Sequence, residues 1–344
     1  MLPPAADPRH DALAQWVAHT LGTTAFALAP ASADASFRRY FRLTPAQPLA
    51  LAPAAATLIV MDAPPPQEDC RPFVHVAALL HAADVHAPAI LAQDLEQGFL
   101  LLSDLGNTTY LDALNDSMAR DLYMDAIDAL LRFQATSREG VLPAYNEALL
   151  RRELELFPEW YVGRHRGHVL TASERTTFDR VFALLIANNL AQPQVFVHRD
   201  FHSRNLMVSA PNPGVLDFQD AVYGPITYDL VSLLRDAYIG WDEARQIDFA
   251  VRYWERARQA GVPVHEDFGA FWHDFEWMGV QRQLKVLGIF ARLCHRDGKD
   301  GYLKDMPLVM AYLRDACARY RRLEPLLALL DTMDARPHTV GYTF

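Results

Sequence analysis

Between Val195 and Asp220 the chain reads VFVHRDFHSRNLMVSAPNPGVLDFQD, and no other stretch restricts its fold so strongly. Runs of apolar, β-favouring residues lead to two aspartates, Asp200 and Asp217, with Asn205 between them. A carboxylate is costly to bury. Setting two of them just past strands holds them at the edge of a core, in loops open to ligands. PNPG, 211–214, separates the strand-like NLMVS and GVLDF and predicts a hairpin.

From about Phe26 to Leu105 the pattern is short strands with one helix. SFRRYFRL, TLIVMDA and GFLLLSDL read as strands, and RPFVHVAALLHAADVH as an amphipathic helix. The Ala/Pro-rich LTPAQPLALAPAAAT reads as a surface loop, and SDLGN, 103–107, as a hinge. Beyond it, MARDLYMDAIDALLRFQ, ALLRRELELFPEWYVGR and ERTTFDRVFALLIANNL carry apolar residues at three-and-four spacing. The expected architecture is α+β in two lobes, a small mixed β lobe over 1–104 and a larger, mostly helical lobe over 105–344.

With 51% hydrophobic and 22% charged residues, the chain has the composition of an ordinary globular protein. Its formal net charge of −10 opposes binding to nucleic acid or to anionic membranes. Cys70, Cys294 and Cys317 lack the paired spacing of a zinc site or a disulfide framework. The N-terminal MLPPAADPRHDAL has no basic region leading into an apolar one, and no apolar run is long enough to span a bilayer. A reduced, cytoplasmic protein is expected.

HRDFHSRN, His198 to Asn205, matches the kinase catalytic-loop pattern H-R-D-x-x-x-x-N position for position. In that chemistry the aspartate accepts the proton of the acceptor hydroxyl, and the asparagine holds Mg²⁺ between the phosphates. Asp200 and His198 are thus the candidate catalytic residues. Asn205 and Asp217 are candidate Mg²⁺ ligands, Asp217 standing where the kinase D-F-G aspartate would. Singly, Asp200 also reads as a helix cap, His198 as a core histidine and Asp217 as a turn residue. Their order and spacing favour the catalytic reading. Gln219 follows Phe218 where a protein kinase has glycine, and no A-P-E segment follows, so this is not a regulated protein kinase.

DAVYGPITYDL, 220–230, resembles the aminoglycoside phosphotransferase family, whose kinase-like fold phosphorylates small molecules. Asp229 within it reads either as a helix N-cap or as a brace for the catalytic loop. SADASFRRYFR, VMDAPPPQEDCRPFV, ELFPEWYVGR, VLDFQDAVYGPITYDL and GIFARLCHRDGK extend the resemblance over nearly the whole chain. They look like the bacterial anomeric kinases of N-acetylmuramate and N-acetylglucosamine, which serve cell-wall recycling. The resemblance implies ATP and Mg²⁺ as cofactors, an amino sugar as substrate and a sugar 1-phosphate as product. It makes 1–104 the nucleotide-binding lobe and 105–344 the catalytic and sugar-binding lobe. No obligate protein partner is evident. Two rivals remain: another small-molecule kinase of this fold, acting on an aminoglycoside, choline or homoserine, and a catalytically inactive nucleotide-binding module.

The chain departs from the kinase pattern in having no lysine before Lys285; Met61 falls near the position of the third-strand lysine. Arg38 and Arg39 are the nearest cations able to clamp phosphate, with Ser36 and Asp104 as further candidates on the nucleotide side. The sugar pocket is expected in the helical lobe. Arg282, Lys285 and His295 lie along an apolar helical stripe and suit a carboxylate-bearing sugar better than a polycationic antibiotic. Glu153 and Trp160 are candidates for sugar hydroxyls and ring stacking. His202, Arg204 and Asp220 complete the set of candidate substrate residues.

Overall fold

The computed structural model describes residues 7–33 and 37–334. It divides into two compact units, Met1–Thr108 with Met207–Asp220, and Thr109–Leu206 with Ala221–Phe344. Residues 207–220, expected in the helical lobe, group with the sheet-bearing unit instead.

The first unit opens with α1 (Pro8–Leu21). Asp7 caps it by accepting from the backbone N–H groups of Arg9 and His10, and Gly22 closes it in the left-handed region. A five-stranded antiparallel sheet follows. It comprises β1 (Phe26–Ala33), β2 (Arg39–Pro45) and β3 (Leu58–Asp62), then α2 (Arg71–Ala82), β4 (Ile90–Asp94) and β5 (Phe99–Ser103), in the order β1-β2-β3-β5-β4. Because side chains alternate along a strand, Leu43, Leu58, Val60, Phe99 and Leu101 share a core with Leu13 and Val17 of α1. The other face carries Met61, Leu100 and Leu102, also buried. Met61 is therefore a core residue, paired with Tyr40 and Leu100. The three strands expected from sequence are β2, β3 and β5; α1, β1 and β4 are additional. The Asp7-Pro8 start and the Gly22 stop were legible helix signals. FALAPASA in β1 has weak strand propensity and is held by its pairing with β2. Gly98 lies at φ +74°, and a Cβ there would overlap the carbonyl oxygen of Ala63. Gly98→Ala should cost roughly 1–3 kcal/mol, measured as a lower denaturation midpoint with the fold retained.

The second unit is helical. Its first part holds α3 (Tyr110–Ala113), α4 (Ala119–Ala135), α5 (Glu147–Leu154), a π-helical segment (Phe157–His165) and α6 (Ala172–Ala191). Strand β6 (Gln194–Val197) leads out through β7 (Leu206–Met207) and β8 (Gly214–Val215) and returns as β9 (Val222–Pro225). Then come α7 (Tyr228–Leu234), α8 (Glu243–Gln259), α9 (Phe268–Asp297), a 3₁₀ turn (Asp300–Asp305), α10 (Met306–Arg319), a shorter 3₁₀ turn (Arg321–Leu323) and α11 (Glu324–Met333). The 30-residue α9 is the spine, buried on most of its faces. At Gly288 it passes so close to the Leu156 backbone that a Cβ would lie 2.5 Å from it. None of the described helices is long and apolar enough to cross a membrane.

The expected hairpin is β7–β8. Val208 donates to the Thr108 carbonyl (2.9 Å) and Val215 to the His86 carbonyl (2.7 Å), which accounts for its membership of the first unit.

Candidate active site

The second unit positions the HRD segment through a short antiparallel pair, β6 on β9, with Val195 opposite Gly224 and Val197 opposite Val222. Asp229, fully buried at the start of α7, accepts from the backbone N–H of His198 (2.6 Å) and of Arg199 (2.9 Å). Of its two sequence readings, this is the brace; its side chain does not cap α7. The grip holds Arg199 at φ +76°, a left-handed turn that re-aims the chain. Burial pushes the Asp229 carboxyl up to about 7. Further along the loop, Nδ1 of His198 accepts from the Asp200 N–H (3.2 Å), and Asn205 donates through Nδ2 to the Asp200 carbonyl (3.0 Å). Asp236, also fully buried, accepts from the Ser203 N–H (2.9 Å). The loop is therefore held through its backbone, leaving the Asp200 side chain to do something else.

Asp200 sits above a buried ionic cluster. Glu153, 4% exposed, accepts from Arg199 (2.5 Å) and from Tyr145, and pairs with Lys285 at 3.1 Å; Lys285 also donates to the Tyr228 hydroxyl (2.8 Å). Burial alone would raise the Asp200 carboxyl, but the charges of Lys285, His202 and Arg199 outweigh it and hold it below the ordinary carboxylate range. Asp200 is thus ionised at neutral pH. Its acid limb should lie below that of an ordinary carboxylate, and Lys285→Met, by removing the first of those charges, should move it upward. A pH profile of kcat/KM carried from neutrality down to the lowest pH at which the protein stays folded checks this; an unchanged limb in the variant excludes Lys285 as the source of the shift.

Asp200 opens onto a cleft of about 580 Å³ of empty space, part of it open to solvent. His202, Tyr228, Arg282 and Lys285 supply its other polar lining. Tyr238, Phe290 and Tyr302 form an aromatic wall, with ring centroids 6.1 Å apart for Tyr238 and Phe290 and 5.2 Å for Phe290 and Tyr302. Burial lowers the His202 imidazole below its usual range, against the opposing pull of Asp236 and Asp200. The wall was missed in the sequence, although Arg282, Lys285, Val286, Ile289, Phe290 and Leu293 recur on one face of α9 at helical spacing and were legible as a stripe. Other candidates lie outside the lining. Glu153 is spent as a counter-ion, Trp160 belongs to the π-helical segment, and His295 is exposed beside His165 (3.2 Å). Arg204 lies over Tyr238, its guanidinium carbon 3.5 Å from the ring centroid, and approaches Asp305 at 4.0 Å.

In the first unit, Asp217 adopts φ +61° just after β8, and its Oδ1 accepts from Gln219 (2.9 Å). Phe218 is buried against Phe73, with ring centroids 4.6 Å apart, and Asp220 is exposed. The Asp104 carboxylate is filled by Arg42 (2.6 and 3.1 Å), Thr57 (2.7 Å) and the Gly106 N–H (3.0 Å), and braces the predicted hinge. Arg38 lies 3.8 Å from Glu68. Arg39 forks onto the fully buried Asp62 (2.9 and 2.5 Å) and also meets Asp7, while Arg9 holds the other Asp62 oxygen at 2.8 Å. Arg39→Met should therefore act on stability. We expect a loss of about 2 kcal/mol, below the usual figure for a broken buried pair because Arg9 remains, read by chemical denaturation. A variant of unchanged stability would contradict this. Ser36 lies outside the described residues.

Residues 27–272 match the model of a phosphotransferase enzyme family. The chain belongs to that family. It is 55% identical over 308 residues to the N-acetylmuramate/N-acetylglucosamine kinase of Pseudomonas putida, covering 90% of this chain and 88% of that protein. It is 46% identical over 337 residues to the protein of the same name from Neisseria meningitidis serogroup B, covering 96% and 98%. Among solved structures it resembles a choline kinase from Streptococcus pneumoniae (TM-score 0.63, 12% identity, 90% of this chain and 100% of that one). It also resembles an aminoglycoside phosphotransferase solved with streptomycin and ATP (TM-score 0.57, 13% identity, 89% and 97%). The two-lobed phosphotransferase fold expected from sequence is the one observed.

Proposed function

We propose that this phosphotransferase transfers the γ-phosphoryl group of ATP to the anomeric hydroxyl of N-acetylmuramate or N-acetylglucosamine, giving the sugar 1-phosphate. The observation that carries the reading is that Asp200 opens onto a cleft that joins polar groups to an aromatic wall, in a chain 46–55% identical to kinases of those sugars over most of its length. Aromatic rings suit the apolar face of a sugar and polar groups its hydroxyls. Choline or a polycationic aminoglycoside would favour a carboxylate-lined cleft, whereas this one presents Arg282 and Lys285.

In this reading the sheet-bearing unit takes the nucleotide and the helical unit the sugar. Asp200 orients the hydroxyl and accepts its proton as the bond to phosphorus forms. A low-pKa carboxylate suffices, because the transition state of phosphoryl transfer is loose and the proton leaves late. His198 acts by holding the loop. Asn205 and Asp217 offer the hard oxygens Mg²⁺ prefers, Asn205 through Oδ1, its Nδ2 donating to the Asp200 carbonyl. The ion would neutralise phosphate charge. Arg38, 3.8 Å from Glu68, stays a candidate cation on the nucleotide side. The dependence on ATP in this reading supports a cytoplasmic setting.

The test is phosphorus NMR of purified protein with ATP, Mg²⁺ and each sugar. A new phosphate resonance coupled to the anomeric proton is expected, and it should disappear with excess chelator. Phosphate on another hydroxyl, or no transfer to either sugar, would sink the proposal.

A further inference from the structure

Three Arg and Lys side chains are more than nine-tenths buried among the described residues: Arg235 and Arg282, each 5% exposed, and Lys285, 7% exposed. Arg235 meets Glu276 at 3.2 Å and Lys285 meets Glu153 at 3.1 Å. Arg282 differs. It has no carboxylate oxygen within 4 Å among the described residues, and donates only a long bond of 3.4 Å to the Arg235 carbonyl. A guanidinium carries five N–H donors; the charge of Arg282 acts on the buried Asp229, but that carboxylate forms no ion pair with it and accepts from the His198 and Arg199 N–H groups instead. Arg282 also lines the cleft that holds Asp200. The unused donors of a buried, permanent cation are thus available to whatever fills that cleft.

We propose that Arg282 determines specificity by binding the carboxylate of an acidic amino sugar, so that N-acetylmuramate is read by its lactyl group. This rests on the function proposed above and assigns the discrimination within it to one side chain. The neighbouring cations are committed elsewhere. Lys285 is shared between Glu153 and Tyr228, Arg199 is bound to Glu153, and Arg204 is stacked on Tyr238 outside the lining. A planar fork also matches a carboxylate with two parallel hydrogen bonds, which an ammonium cannot do.

An enzyme-by-substrate cycle tests this. Wild type and Arg282→Met are assayed with N-acetylmuramate and with its neutral lactyl amide, N-acetylglucosamine serving as a third substrate. Wild type should prefer the acid to the amide by roughly 10–100-fold in kcat/KM, the scale of a charge-assisted hydrogen bond. In the variant the preference should shrink to about threefold or less. A wild type that treats acid and amide alike, or a variant that keeps the preference, overturns the proposal; in the latter case the charge is read by another residue. If Arg282→Met does not fold, Arg282→Lys keeps the buried charge without the fork and should still lower the preference at least about threefold; no change would overturn the proposal. Failure of wild type to phosphorylate N-acetylglucosamine as well, a substrate without the carboxylate, would instead sink the sugar-kinase reading and this proposal with it.

Discussion

Asp200→Asn is expected to lower turnover on N-acetylmuramate by roughly 10²–10⁴-fold, the usual worth of a positioned general base, while ATP affinity changes by less than about threefold. The asymmetry follows from how the loop is held. Asp229 grips the backbone of His198 and Arg199, and Asp200 itself is anchored by its own N–H on His198 and its own carbonyl from Asn205. None of these bonds uses the Asp200 carboxylate. Asparagine keeps the shape but cannot take the proton. Single-turnover kinetics with calorimetric ATP titration separate the two effects. A parallel loss of turnover and ATP affinity, or a much lower melting temperature, would assign Asp200 a structural role.

Asp217→Asn should reduce turnover by on the order of 10²–10³-fold, the scale on which one preorganised electrostatic group contributes to a transition state. The choice of asparagine is dictated by the backbone. Asp217 sits at φ +61°, where asparagine is among the few residues at ease, so the variant removes a charge without adding strain. The Phe218 anchor against Phe73 is untouched. If Asp217 is a metal ligand, the loss should be accompanied by a higher Mg²⁺ concentration for half-maximal activity and by an unaltered denaturation midpoint. Near-normal turnover at limiting Mg²⁺ would remove Asp217 from the metal site.

The catalytic segment was legible because its signals are local. The apolar run of β6, the eight-residue HRDFHSRN and the PNPG turn each depend on neighbours a few residues away, and the strand, loop and hairpin appear where those signals put them. The long amphipathic runs gave α2, α4 and α6 for the same reason: helical periodicity is written within a single segment. The N-terminal helix was also written locally, in Asp7-Pro8 and Gly22.

Charge partners were not legible, because an ion pair joins residues that sequence leaves far apart. Nothing in RRELELFPEWY marks Glu153 as the counter-ion of both Arg199 and Lys285 rather than a sugar ligand, and nothing in ASFRRYF separates an Arg39 bound to Asp62 from an Arg38 near Glu68. Type, order and spacing thus determined which residues can perform phosphoryl transfer, and the sequence alone carried the family. Only the tertiary structure decided which charges are neutralised inside the protein and which, like Arg282, are left facing the cleft. The physical reason is that burial makes an unpaired charge costly, so folding sorts chemically identical side chains by whether a partner reaches them.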